Sequence, residues 1–194
     1  GVHLLGMKSA SSPRALLGTA IHASTAAFDA SRVNGAGLSA FDTAELFIES
    51  LRNPDYDVHW RGSDITLNQA EATGLTLHTM YCDEISPRYE FQAVELTTKP
   101  LEIDCGGSVV IRLTGQLDRA RICKTGTGVG IADVKTGGAS VSQGVAKTKG
   151  HAPQIGTYEI LYEHTTGQPI TAPAHIIGLK TKGKAEAGIG EIRG

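Results

Sequence analysis

One short segment constrains this chain more than any other. Residues 129 to 136, Val-Gly-Ile-Ala-Asp-Val-Lys-Thr, form a largely apolar run closed by Gly137-Gly138. So brief an apolar run, ended by glycines, reads as a β-strand. Side chains alternate across a strand, so Asp133 and Lys135 project from one face and Val134 from the other. An acid and a base inside such a strand are costly to bury without a strong partner. Either the two form an ion pair on an edge strand, or the fold supplies a partner for the charge of Asp133.

The flanking sequence sets this strand in an α/β chain. Residues 12 to 32 predict a helix: Ser12 caps it, Pro13 suits its first position, Leu17, Ile21 and Phe28 recur at helical spacing, and Asn34-Gly35 ends it. A second helix runs from Ser39 to Arg52, with Ala44, Phe47, Ile48 and Leu51 on one face and Asn53-Pro54 as its stop. A third follows Thr66, which forms a capping box with Gln69, and ends before Ser86-Pro87. Strands are then predicted over Tyr89 to Thr98 and Ser108 to Cys123, with a turn at Gly126-Thr127-Gly128 leading into the 129 to 136 strand. Residues 139 to 151 read as a loop, Ala152 to His164 as a helix with Gly167 just past its end, and Ala174 to Lys180 as a last strand. At 194 residues, 40% hydrophobic and 20% charged, the chain suits one globular domain over 1 to 194, with either end open to extension.

A second carboxylate bears on the first. Leu113-Thr-Gly-Gln-Leu-Asp118-Arg-Ala places Asp118 at the far end of the preceding strand. If the two strands pair as a hairpin, Asp118 and Asp133 approach each other. Two close carboxylates repel, and one tends to stay protonated, unless a cation sits between them. Mg2+ and Mn2+ favour such oxygen ligands. The plainer alternative makes Asp118 a turn residue with Arg119 and Arg121 as solvent-facing partners.

Four segments in order resemble the motifs of RecB-like nucleases of the PD-(D/E)XK superfamily. Gly18-Thr-Ala-Ile-His22 is similar to a helix motif G-x-x-x-H. Gly115-Gln-Leu-Asp118 and Asp133-Val-Lys135 resemble the G-x-x-D and D-x-K strands, and Gln154-Ile-Gly-Thr-Tyr158 resembles a Q-x-x-x-Y helix. The resemblance implies a restriction-endonuclease-like α/β core, a mixed central sheet flanked by helices, divalent-metal dependence and DNA cleavage. It implies catalytic roles for Asp118, Asp133 and Lys135. It makes His22, Asp118, Asp133 and the Val134 carbonyl the ligands of Mg2+ or Mn2+. Gln154, Tyr158 and Arg119 become contacts to substrate phosphate, and Glu95 a further acidic residue or an ordinary strand glutamate. Gly18 would let its helix approach the sheet closely.

The bulk properties narrow this further. A net charge of -2 gives no global attraction to nucleic acid, so binding must rest on a local patch. Arg119, Arg121, Lys124, Lys135, Lys147 and Lys149 cluster around the proposed site, with Lys180, Lys182 and Lys184 adding a basic end. The three cysteines form no CxxC pair, so no zinc site or iron–sulfur cluster is expected. Gly126 to Gly130 lacks the Gly-Lys-Ser/Thr of a phosphate loop, which speaks against nucleotide binding. With no apolar run of spanning length, a cytoplasmic location in a bacterium or phage-infected host is expected, and no membrane contact. The expected substrate is DNA, at linear ends or as single strands, cut by an exonuclease in phage or bacterial recombination or repair, with a recombination partner or oligomer as a companion. The rivals are a structure- or sequence-specific endonuclease on the same fold and an inactive DNA-binding or assembly module.

Overall fold

The computed structural model of the protein describes residues 11–123 and 128–194. Residues 126 and 127 of the expected turn lie outside these. The first helix, α1 (Pro13–Asn34), begins where the Ser12 side chain accepts from the Ala15 amide and ends at Gly35 with φ 73°. Helices α2 (Ala40–Arg52) and α3 (Leu67–Met80) each start on a reciprocal capping box, Ser39 with Asp42 and Thr66 with Gln69. Beyond Met80 the chain continues as a wider π turn, Tyr81–Ile85, and a 3-10 turn, Ser86–Arg88, so helical backbone reaches Pro87 but not as one α-helix.

The strands in chain order are β1 (Glu90–Thr97), β2 (Leu101–Asp104), β3 (Val110–Leu113), β4 (Gln116–Ile122), β5 (Val129–Gly137), β6 (Val141–Ser142), β7 (Val145–Ala146), β8 (Ala174–Lys180) and β9 (Glu186–Ile192), with α4 (Ala152–Thr166) between β7 and β8. Five of them form a mixed sheet in the order β1-β4-β5-β8-β9. Only β5 and β8 pair in parallel; the other neighbours are antiparallel. A parallel pair needs a long crossover, and α4 lies within it. The Asp133 strand is therefore the centre of the sheet, not its edge.

Two cores flank the sheet. Leu17, Ile21, Phe47, Leu77 and Tyr81 of the N-terminal helices pack with Ala132, Val134, Ile177 and Leu179. On the other side Ile155 and Tyr162 of α4 pack with Ala120, Ile131 and Ile176. The alternation of β5 divides these two sets, odd positions toward α4 and even positions toward α1.

Three expectations are corrected. The strand read from Ser108 to Cys123 is two strands. Gly115 pairs with Thr98, then Pro100, which has no amide hydrogen, ends the pairing with β1, and β2–β3 form a separate two-stranded arm. The loop read over 139 to 151 contains the β6–β7 hairpin. The basic tail after Lys180 contains the edge strand β9. Its glycines hid it because they lower strand propensity, yet they have a packing reason. A Cβ on Gly188 would lie 2.5 Å from the Gly144 carbonyl oxygen, and one on Gly190 2.5 Å from that of Ala146. The β6–β7 hairpin thus rests its backbone directly on β9. Among the described residues, no helix is long and apolar enough to cross a membrane.

Candidate active site

Strands β4 and β5 pair from Ile122↔Val129 to Arg119↔Ala132 and then part. One further step of this register sets Asp118 opposite Asp133. Here the side chain replaces the ladder: Asp118 Oδ2 accepts from the Val134 amide at 2.8 Å. The same step on the other side of β4, between Val94↔Arg119 and Leu96↔Leu117, sets Glu95 opposite Asp118. Glu95, Asp118 and Asp133 thus form a row across three strands. Glu95 has φ 51°, a left-handed backbone uncommon outside glycine.

The electrostatics of this notch are unbalanced. The Asp133 side chain is 1% exposed, and its Oδ2 lies 2.6 Å from Lys135 Nζ, an ion pair whose angles fall outside hydrogen-bond geometry. Burial, and then the charge of Asp118, raise the Asp133 pKa above the ordinary carboxylate range, against Lys135 and His151. Burial and Asp118 likewise raise Glu95, although Arg119 Nη1 donates to it at 3.2 Å. His22 Nδ1 lies 3.9 Å from Asp118 Oδ2. Burial lowers its pKa, Asp118 opposes, and Arg119 and Lys135 add to the lowering, so His22 is neutral near pH 7.

Helix α1 reaches this point because Gly18 lets it. A Cβ on Gly18 would lie 2.6 Å from Thr136 Oγ1. The close approach carries His22, one turn on, toward the parted strands.

Behind the notch is a second acid, Asp29, fully buried on α1. It accepts from Tyr81 OH, Ser86 Oγ and Arg119 Nε, the last at 2.7 Å. Arg119 Nη1 also donates to the Asp118 carbonyl at 2.9 Å, so this network grips the backbone that presents Asp118.

The structure brings together Asp118, Asp133, Lys135, His22 and Glu95. Gln154 Nε2 donates to Tyr158 OH at 2.9 Å, and a Cβ on Gly115, three residues before Asp118, would lie 3.4 Å from Tyr158 Cε1. Arg119 is corrected: its side chain is 0% exposed and bound to Asp29 and Glu95, so it cannot meet a phosphate from solvent. Arg121 is buried too, with Nη1 on Cys123 Sγ and Nη2 on the Pro173 carbonyl. The expected basic patch therefore loses its two arginines. Strand alternation carried that signal, since neighbours of Asp118 point to the opposite face. Sequence reasoning also missed Asp29 and His151. Asp29 was detectable, because it continues the Leu17, Ile21, Thr25 stripe at steps of four, and all are buried. His151 precedes α4 and carried no such signal.

A sequence family described as the PD-(D/E)XK nuclease superfamily matches residues 2–191. This chain belongs to the PD-(D/E)XK nuclease superfamily. A solved structure from Eubacterium rectale, named "Putative exonuclease", shares this nuclease fold with a TM-score of 0.53 at 15% identity, over 98% of the present chain and 63% of the other. The chain thus spans less than two thirds of that protein. No curated protein matches it significantly.

The nuclease superfamily implies a divalent cation, and the donor chemistry fits one. Asp133 offers a buried carboxylate paired with the partly exposed Lys135, Asp118 keeps Oδ1 clear of the Val134 bond, and the two stand opposite each other in the register. A cation would relieve the repulsion that raises the Asp133 pKa. Among the described residues, no three His, Cys, Asp or Glu side chains converge on a single point. The core donor set is two carboxylates, with His22 and Glu95 beside them.

Proposed function

We propose that the protein is a metal-dependent deoxyribonuclease of the RecB-like branch, and specifically an exonuclease acting on linear DNA in phage or bacterial recombination or repair, in the cytoplasm. The observation that carries this reading is the parting of β4 and β5 at two facing carboxylates, with Lys135 alongside. Asp118 and Asp133, with the Val134 carbonyl and His22, would hold Mg2+ or Mn2+. The chemistry such a cation supplies is Lewis-acid activation of water and of the phosphate.

The protein's own residues do the rest. Lys135 is about a quarter exposed, so its ammonium reaches both Asp133 and solvent. It orients the attacking water and offsets charge building on the phosphate oxygens. Neutral His22 holds the outer side of Asp118 and adds no charge against a cation. Asp29 and Arg119 keep the Asp118 backbone fixed while the bond breaks. Gln154 and Tyr158 position a phosphate from α4. The exonuclease reading draws on the resemblance to RecB-like motifs and on the absence from the sequence of a recognisable helix-turn-helix or zinc finger to read bases.

The test incubates the protein with Mg2+ or Mn2+ and equal masses of linear duplex, linear single-stranded and closed circular DNA. Progressive loss of linear forms with circles spared is expected. Discrete products from the circle would replace the exonuclease with an endonuclease, and no cleavage of any form would overturn the enzymatic reading.

A further inference from the structure

A cleft of about 460 Å³ opens beside the carboxylate notch and shares His22 with it. It runs along the outer face of α1 from His22 back to Arg14, with Ala15, Gly18 and Thr19 between them, and Thr136, Gly137, Gly138 and Thr181 form the opposite wall. Eight residues of helix separate His22 from Arg14, about 12 Å at 1.5 Å per residue. A duplex strand carries one phosphate per about 3.4 Å of axis, so a groove of this length takes at least two.

Its chemistry is suited to a phosphodiester backbone. No lining residue is acidic. Thr136 contributes a hydroxyl, and Arg14 a guanidinium that is 27% exposed. Arg14 is fixed, not loose. Its Nε donates to Asp64 at 2.8 Å and its Nη1 to the Thr181 carbonyl at 2.9 Å. These bonds hold the fork at the cleft wall through Nε and Nη1. Lys182, 66% exposed and 3.5 Å from Asp64, lies against Gly138 at the rim. Two cations around one carboxylate leave the rim net positive, which the whole-chain charge of -2 conceals.

We propose that this cleft binds the backbone of the DNA strand next to the scissile phosphate, with Arg14 and Lys182 as phosphate contacts. The proposal rests on the nuclease reading and adds the track by which substrate reaches the notch. Such contacts position without reading sequence. They replace the buried Arg119 and Arg121 as the source of local positive charge.

Ala15 gives a clean test, because it is exposed in the cleft and takes no part in the catalytic arrangement. Glutamate and lysine both suit a helix, so Ala15→Glu and Ala15→Lys fold as wild type does. Phe41→Glu adds the same charge on α2, at a side chain 74% exposed and outside the cleft. Binding of a fluorescein-labelled 12-base-pair duplex is followed by anisotropy in EDTA, across a salt series, and cleavage by wild type and variants is measured in parallel. Ala15→Glu is expected to weaken binding about tenfold and Phe41→Glu less than twofold. Ala15→Lys is expected to tighten binding and to steepen the log–log salt slope by about 0.9, the increment for one phosphate contact. If Ala15→Glu and Ala15→Lys bind as Phe41→Glu does, the cleft is not the track. If wild type and both variants also cleave DNA equally, the nuclease reading stands while this inference falls. If wild type neither binds nor cleaves DNA, both fall.

Discussion

Asp29 and Asp133 are both buried aspartates within reach of a cation, and they are built in opposite ways. Asp29 accepts three hydrogen bonds, from Tyr81, Ser86 and Arg119, and its partner Arg119 is as buried as it is. Asp133 has a partly exposed lysine at 2.6 Å and a second carboxylate opposite it in the register. The first arrangement holds α1, the π turn and β4 together. The second sets two facing carboxylates against one lysine, which leaves negative charge for a cation. A buried acid matched by a buried cation is architecture; two facing acids that share one lysine are a place for a cation to bind.

Four variants break or sharpen this contrast. Asp133→Asn is expected to lower cleavage by about 10³-fold or more, above the loss of a single electrostatic contact. The same variant is expected to raise the stability of the metal-free protein by about 1 kcal/mol, because it relieves the burial of charge and the repulsion by Asp118 that together outweigh the Lys135 ion pair. The pH dependence has a defined sign. The folded-state pKa of Asp133 is raised, so wild-type stability falls as pH rises through and above the ordinary carboxylate range, and the asparagine variant lacks this fall. Urea unfolding in EDTA at several pH values checks both. A large loss of stability in Asp133→Asn would end the contrast with Asp29.

Asp29→Asn should do the reverse. It leaves Arg119 buried without its main counter-ion, at a cost of about 3–5 kcal/mol. The urea midpoint is expected to fall steeply, and a midpoint like that of wild type would show the network to be dispensable. Lys135→Ala is expected to reduce cleavage about 10²-fold while Mn2+ binding persists by calorimetry, since a protonated lysine has no lone pair to give a metal. Loss of Mn2+ binding would move Lys135 from the phosphate to the cation site.

The smallest effect lies on β8, the strand beside β5, where His175 pairs with Ala132. His175 Nδ1 is 2.9 Å from Tyr89 OH, and burial, with Arg121, holds its pKa down at about 4. The unfolded chain binds that proton near the ordinary value of about 6.5. Stability from this residue is therefore present above about pH 6.5 and lost as pH falls toward 4. His175→Gln is expected to flatten stability across that window without affecting cleavage at neutral pH. An unchanged slope would assign the window to other groups.

Much of this fold was legible because local chemistry and tertiary position agreed. The caps at Ser12, Ser39 and Thr66, with their partners Asp42 and Gln69, act within four residues and set the helix starts. The α4 stop at Gly167 is equally local. The pairing of Asp118 with Asp133 followed from a short hairpin and strand alternation. What escaped depends on distant contacts. The β2–β3 arm departs because Thr98 and Gly115 close the main sheet across seventeen residues. Strand β9 exists because β8 offers an edge and the β6–β7 hairpin needs glycines beneath it. Arg119 looked available as one of several basic residues near the site, but its side chain turns inward to an acid ninety residues earlier.

The single parallel pairing in the sheet has a consequence for how the site assembles. Asp118 and Asp133 are fifteen residues apart on antiparallel neighbours, so their meeting needs only a short loop to close. Ala132 meets His175 across forty-three residues and a whole helix. Contacts that local form quickly, while long-range parallel pairings form slowly. The shorter loop thus favours meeting of the two like charges before β8 and α4 cover them. Refolding is expected to bury Asp133 only when β8 docks, after the β4–β5 pairing. Destabilising that docking should slow the final phase of refolding and leave the early hairpin untouched.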